Sequence, residues 1–141
     1  MSTDPITASI QIDVPPARVF AAWAAIDRWH QWDPDTRAAT LSGPLHPGAR
    51  GTLTPTRGRT VTMIVAAVET DRRLYVRCPV LGSTLHFDHR VEPRNEGSIV
   101  VHEVWFTGWL APLLRATLGR AVQRNLPATM RSLRCHLETS L

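Results

Sequence analysis

The stretch Leu85-His86-Phe87-Asp88-His89-Arg90-Val91 places two imidazoles and a carboxylate within four consecutive positions. Leu85, Phe87 and Val91 alternate as the buried face of a strand does, and parity puts His89 on that face with them. An inward histidine titrates near neutral pH and can give or take a proton, as an enolising cyclisation requires. It reads also as a core histidine satisfied by a hydroxyl or a backbone carbonyl. His86-Phe87-Asp88-His89 has the composition of a metal cluster, but residues three apart on a strand point to opposite faces. His86 and His89 therefore cannot chelate one ion, and neither a metal site nor a cofactor is expected.

What stands opposite His89 depends on the loop that follows. If Arg94-Asn95-Glu96-Gly97 is a four-residue loop with Gly97 left-handed, His102 faces His89, and Val100, Val104 and Phe106 point inward. That register also sets Asp88 against Glu103 on the outer face, a mild repulsion. If Asn95-Glu96-Gly97 is a three-residue loop with a bulge, Glu103 faces His89, and Val101 and Trp105 point inward. One residue of slip thus exchanges a histidine pair for a histidine–carboxylate pair. Arg115 falls on the helical face of Leu118 and Val122, where its guanidinium could hold a carboxylate, phosphate or enolate oxygen, or else pair with Asp33 or Glu103.

These side chains need a scaffold, and the rest of the chain supplies one. Ile6, Ala8, Ile10, Ile12 and Val14 alternate with polar residues as in a half-buried strand. Pro15-Pro16 stops it and opens a helix carrying Val19, Phe20, Trp23 and Ile26. Asp27 is placed to cap a second short helix bearing Trp29 and Trp32, which Asp33-Pro34 ends. Beyond it, Gly and Pro punctuate an antiparallel meander with strands expected at 37–43, 50–57, 60–69, 73–79, 83–92 and 98–107. Leu118, Val122, Leu126, Met130, Leu133 and Leu137 then form one apolar stripe on a helix expected from about Pro112 to residue 138, kinked at Pro127. Arg120, Arg124, Arg131 and Arg134 fall on its opposite face, as a solvated surface or an anion site.

A curved sheet wrapped around a straight helix leaves a gap, so this α+β architecture implies a cavity of roughly 300–1,000 Å³. The order and spacing of four segments support the same picture. They are Ile10-Gln11-Ile12-Asp13-Val14-Pro15-Pro16-Ala17-Arg18-Val19-Phe20, Trp29-His30-Gln31-Trp32-Asp33-Pro34, Arg90-Val91-Glu92-Pro93 and Phe106-Thr107-Gly108-Trp109-Leu110-Ala111-Pro112-Leu113-Leu114. With them, nearly the whole chain resembles the START-like superfamily (SRPBCC proteins), in its polyketide cyclase/dehydrase and lipid-transport branch. The resemblance implies a helix-grip fold, with seven strands curled around a long C-terminal helix and two short helices after the first strand. It implies a pocket far more than a reaction, because the superfamily has no universal catalytic triad. In that family the position of Phe106 packs beneath the helix, which favours the register that sets His102 against His89.

The expected pocket residues are Trp32, Met63, Val76, Phe87, His89, His102, Val104, Phe106, Arg115, Leu118 and Val122. Trp23, Trp29, Trp32 and Phe87 could stack on a planar ligand or serve simply as core. Three functions fit. One is a carrier or receptor for a small, mostly apolar molecule of lipid or polyketide kind. Another is a cyclase or dehydratase with His89 and His102 (or Glu103) as acid and base and Arg115 holding an oxyanion. The last is an interaction module whose arginine face meets an acidic protein or membrane surface.

Composition narrows the partners. The 141 residues are 43% hydrophobic and 20% charged, as in a single globular domain spanning 1–141, and no apolar run approaches the roughly 20 residues of a membrane span. All 16 basic residues are arginine, giving a net charge of +4. They are scattered without a nucleic-acid motif, so neither nucleic acid nor integral membrane association is expected. Nothing at the start reads as a secretory signal, which makes the cytoplasm the expected location. Cys78, inward with Leu74 and Val76, and Cys135, off the apolar stripe, are expected to stay unpaired. Oligomeric state is left open.

Overall fold

In the computed structural model, which describes residues 4–139, the alternation at the N-terminus becomes β1 (Ile6–Ile12), with Ile6 and Ile12 buried and Thr7, Ser9 and Gln11 exposed. Pro16 opens α1 (Pro16–Ala24), which buries Val19, Phe20 and Trp23, and a 3₁₀ helix (Ile26–Gln31) follows. Asp27 does not cap it: the N-cap is Ala25, and Asp27 lies inside the first turn. The meander then runs β2 (Thr36–Leu41), β3 (Arg50–Pro55), β4 (Val61–Glu69), β5 (Arg73–Val80), β6 (Ser83–Arg94) and β7 (Gly97–Thr107). All seven strands pair antiparallel in one curled sheet, in the order β1-β7-β6-β5-β4-β3-β2.

The β6–β7 ladder adopts the register that pairs His89 with His102 and Asp88 with Glu103. Its turn is tighter than the expected four-residue loop, because Arg94 pairs with Gly97 and only Asn95 and Glu96 remain outside the ladder. Asn95, not Gly97, takes the left-handed conformation (φ 56°), which asparagine tolerates. Gly97 is required for a different reason: a Cβ there would collide with the carbonyl oxygen of Ile12, where β1 ends against it. The outer-face repulsion between Asp88 and Glu103 is relieved by arginines. Arg73 grips Asp88 with Nε and Nη2 at 2.9 and 3.1 Å, and Arg90 adds a third contact at 2.9 Å while lying 3.8 Å from Glu103.

The C-terminal helix is not continuous. It divides into α2 (Ala111–Ala116) and α3 (Leu118–Thr139), separated by Thr117 at φ −105°, ψ −81°. The Thr117 hydroxyl bonds back to the Leu113 carbonyl at 2.9 Å beside the backbone N–H bond to the same oxygen at 3.1 Å, the kind of back-bonding that bends a helix. Pro127 lies within α3, which runs on past it.

Along α3 the burial is graded. Met130, Leu133 and Leu137 are 1%, 0% and 5% exposed, whereas Leu126 is 8%, Val122 half-buried and Leu118 43% exposed. The C-terminal half is also fastened: Arg18 donates to the Leu137 carbonyl at 3.0 Å, and Glu138 accepts from the Asp13 backbone N–H at 2.9 Å. One half of the helix is thus clamped onto β1 and α1, and the other stands off the sheet. No helix among the described residues is long and apolar enough to cross a membrane.

Candidate functional site

Under the raised half of α3 lies a cavity of about 850 Å³. Its floor is β5, β6 and β7 through Cys78, Leu85, Phe87, His89, His102 and Val104, and its roof is α3 through Leu118, Val122, Leu126 and Thr129. The 3₁₀ helix closes one side with Trp29 and Trp32, and the β3–β4 hairpin forms the other. Exposed Arg57, Arg59 and Arg124 stand at its rim.

Two buried polar residues of the floor are His89 and His102, 7% and 4% exposed and packed edge to face with ring centroids 4.5 Å apart. Three tryptophans surround them: Trp23 lies 5.5 and 5.7 Å from the two rings, Trp29 5.8 Å from His89, and Trp32 5.9 Å from His102. Hydrogen bonds fix the arrangement. Trp29 Nε1 donates to the Trp23 carbonyl at 2.8 Å, Trp23 Nε1 donates to His102 Nε2 at 3.2 Å, and His89 Nδ1 donates to the Leu74 carbonyl at 2.8 Å. Burial in this apolar setting drives the His89 pKa down to about 4, although the Leu74 carbonyl and Asp88 pull the other way. His102 is likewise pushed well below the usual range, by burial first and by His89 second. Both rings are neutral at pH 7.

Of the residues expected in the pocket, Trp32, Phe87, His89, His102, Val104, Leu118 and Val122 line it. Met63, Val76 and Phe106 point inward as parity requires, but they are buried in packed core and do not border the cavity. Arg115 is a clear departure. It belongs to the short helix α2, which ends before Thr117, and it does not border the cavity. Its stem lies over Gly119 and its Nε donates to the Asp4 carbonyl at 3.0 Å, not to Asp33 or Glu103. Glu103 sits on the other face, where its carboxylate accepts from Thr7 at 3.0 Å. His86 is there too, stacked on Trp105 at 4.9 Å and hydrogen-bonded to Tyr75 and Thr107 at 2.6 and 2.8 Å.

Sequence reasoning missed the rim. Arg57-Gly58-Arg59 at a hairpin tip was the available signal for two of its arginines. Arg124 is exposed as expected yet reaches the cavity mouth, so the arginine face and the pocket are contiguous there.

A family model described as polyketide cyclase / dehydrase and lipid transport matches residues 4–138. The chain belongs to that family. Solved structures carry the fold across large distances in sequence. Protein MLL2253 from Mesorhizobium loti is 17% identical with a TM-score of 0.76, over 98% of this chain and 99% of that one. Hypothetical protein jhp0584 from Helicobacter pylori is 14% identical with a TM-score of 0.80, over 96% and 89%. Truncated norcoclaurine synthase from Thalictrum flavum is 11% identical with a TM-score of 0.72, over 99% and 96%. At these identities the likeness establishes the helix-grip fold alone. No curated protein matches the chain.

Proposed function

We propose that this family member is a single START-like domain that binds a small, mostly apolar molecule in the cavity between the sheet and α3. The observation that carries the reading is the cavity itself, about 850 Å³ and walled largely by Trp, Phe, Leu and Val side chains. That volume suits a lipid- or polyketide-sized ligand. Its walls are mostly apolar, the two histidines are buried and uncharged, and its arginines stand only at the mouth. A cytoplasmic location belongs to the same reading, in keeping with two cysteines that remain unpaired.

The cyclase or dehydratase alternative is weaker. Its oxyanion holder, Arg115, is engaged with the Asp4 carbonyl. Its base, His89, has a pKa near 4 and so takes protons poorly at neutral pH. The interaction-module alternative has only the exposed arginines of α3 in its favour.

A titration with the apolar fluorophore N-phenyl-1-naphthylamine tests the proposal. Saturable enhancement is expected in the wild type. It should vanish in Ala121→Trp, which fills the cavity from the α3 wall, while the thermal unfolding midpoint stays nearly unchanged. An absence of saturable binding, or binding indifferent to the tryptophan plug, would overturn it.

A further inference from the structure

The two buried histidines each have one nitrogen committed and one free, and the commitments determine which is which. The Leu74 carbonyl can only accept, so His89 carries its proton on Nδ1 and keeps a lone pair on Nε2. The Trp23 indole can only donate, so His102 accepts at Nε2 and carries its proton on Nδ1. Burial keeps both rings uncharged, so these tautomers persist at neutral pH. His89 Nε2 and His102 Nδ1 have no hydrogen-bond partner among the described residues. Neither is sealed away, since Trp32 Nε1 is the one fully buried side-chain polar atom there without a partner. Both residues line the cavity, and their rings are in contact. The two rings, in contact and lining the cavity, therefore carry between them one uncommitted acceptor and one uncommitted donor, with no charge.

We infer that the group seated against His89 and His102 is a neutral hydroxyl of a phenol, enol or alcohol, donating to His89 Nε2 and accepting from His102 Nδ1–H. The inference rests on the reading of the cavity as a binding site for an apolar molecule, and it adds the polar feature that such a molecule carries. A hydroxyl is the smallest neutral group that fills both roles. An ether or ketone accepts from His102 but leaves the His89 lone pair unpartnered in a dry site. A carboxylate sets its own lone pairs against that of His89 and finds no cation to offset its desolvation. The pair thus selects by hydrogen-bond direction and against negative charge, while the tryptophans and aliphatic walls accept the carbon skeleton.

Four ligands of one skeleton test this by displacement of N-phenyl-1-naphthylamine from the wild-type protein at pH 7: naphthalene, 2-naphthol, 2-methoxynaphthalene and 2-naphthoate. Naphthol is expected to bind about tenfold more tightly than its methyl ether, with naphthoate weakest. In His89→Phe the naphthol-to-ether ratio should fall to near one. The wild-type series decides the matter even if that variant does not fold. Ring-nitrogen ¹⁵N spectra of the free protein should show both buried histidines as Nδ1–H tautomers. Equal affinities across the four, tightest binding of naphthoate through the arginines at the rim, or either ring as the Nε2–H tautomer would overturn the inference and leave the cavity reading intact. If no member of the series displaces the dye and the dye itself does not bind, the cavity reading fails as well.

Discussion

Burying two uncharged imidazoles ties the stability of this fold to pH. Above pH 6.5 the rings are neutral in both folded and unfolded chains, and their contribution to stability is complete. As pH falls below that value the unfolded chain takes up a proton at each ring while the folded chain resists, so stability is lost. For His89 the loss continues until pH approaches its folded pKa of about 4. Each pH unit in that window is worth about 1.4 kcal/mol, so His89 alone costs about 2 kcal/mol between pH 7 and pH 5 and about 3 kcal/mol by pH 4. His102, also held well below its ordinary value by burial and by its neighbour, adds a loss of the same sign. Urea unfolding at intervals from pH 7.5 to 4.5 would measure this, comparing the wild type with His89→Gln/His102→Gln. Glutamine offers an amide donor to the Leu74 carbonyl and an amide acceptor to Trp23, but it does not titrate. A constant offset between the two proteins is immaterial, because the readout is the slope. His86 on the outer face, also lowered by burial, and Asp33, raised by burial, are present in both proteins and cancel. The wild type should lose at least about 2 kcal/mol more than the variant between pH 7 and pH 5. Parallel slopes would show that the rings are hydrated or already charged, and would refute the reasoning from burial.

Three further outcomes are expected. Leu133→Ala, at a fully buried position, should cost on the order of 2–5 kcal/mol, and Leu126→Ala should cost distinctly less because that side chain already borders open volume; urea midpoints in the reverse order would contradict the graded packing of α3. In the native protein Ellman's reagent should titrate exposed Cys135 and not Cys78, whose thiol is buried and pushed up to about 12, and the intact mass should be that of the reduced chain. Asp88→Asn should destabilise by about 1–3 kcal/mol, since it leaves the Arg73 and Arg90 guanidinium groups facing an uncharged amide, and unchanged stability would show that the pairing on the outer face is incidental.

The parts of this molecule that were legible in the sequence are those governed by short periods. Strand parity placed His89 inward and His86 outward, and the stripe on the last helix identified Leu126, Met130 and Leu133 as buried, but it also included Val122, which is half-buried, and Leu118, which is exposed. Where parity was balanced between two registers, residues alone did not choose. The pairing of His89 with His102 instead of Glu103 follows from a two-residue turn at Asn95-Glu96 that asparagine makes feasible. The break at Thr117 was invisible because the apolar spacing begins at Leu118, just beyond it, and nothing in the stripe registers that Arg115 belongs to a separate short helix and bonds to the Asp4 carbonyl. Met63, Val76 and Phe106 show the limit of parity. It says which face a side chain is on, but whether that stretch of face meets the helix or a void depends on how far α3 stands from the sheet. The bond from Trp23 to His102 spans 79 residues and had no local signal at all.

The same physical cause bears on binding and on catalysis, in opposite directions. A cavity dry enough to hold an apolar skeleton must be walled by tryptophan and aliphatic side chains, and those walls strip water from any imidazole they enclose. The desolvation that makes the site hospitable to such a ligand is what lowers His89 to about 4 and removes it as an effective base at neutral pH. A general base poised near pH 7 here would need a nearby anion to restore its proton affinity. The two carboxylates on this pair of strands that could supply one are turned outward: Asp88 is held by Arg73 and Arg90, and Glu103 is bonded to Thr7. On the proposed reading, what remains to the histidines is hydrogen bonding without charge, which would orient a ligand and not move a proton. The position of those outward carboxylates follows from a register set by a turn of two residues, so the same loop that brings His102 to the cavity also turns the Glu103 carboxylate outward to Thr7.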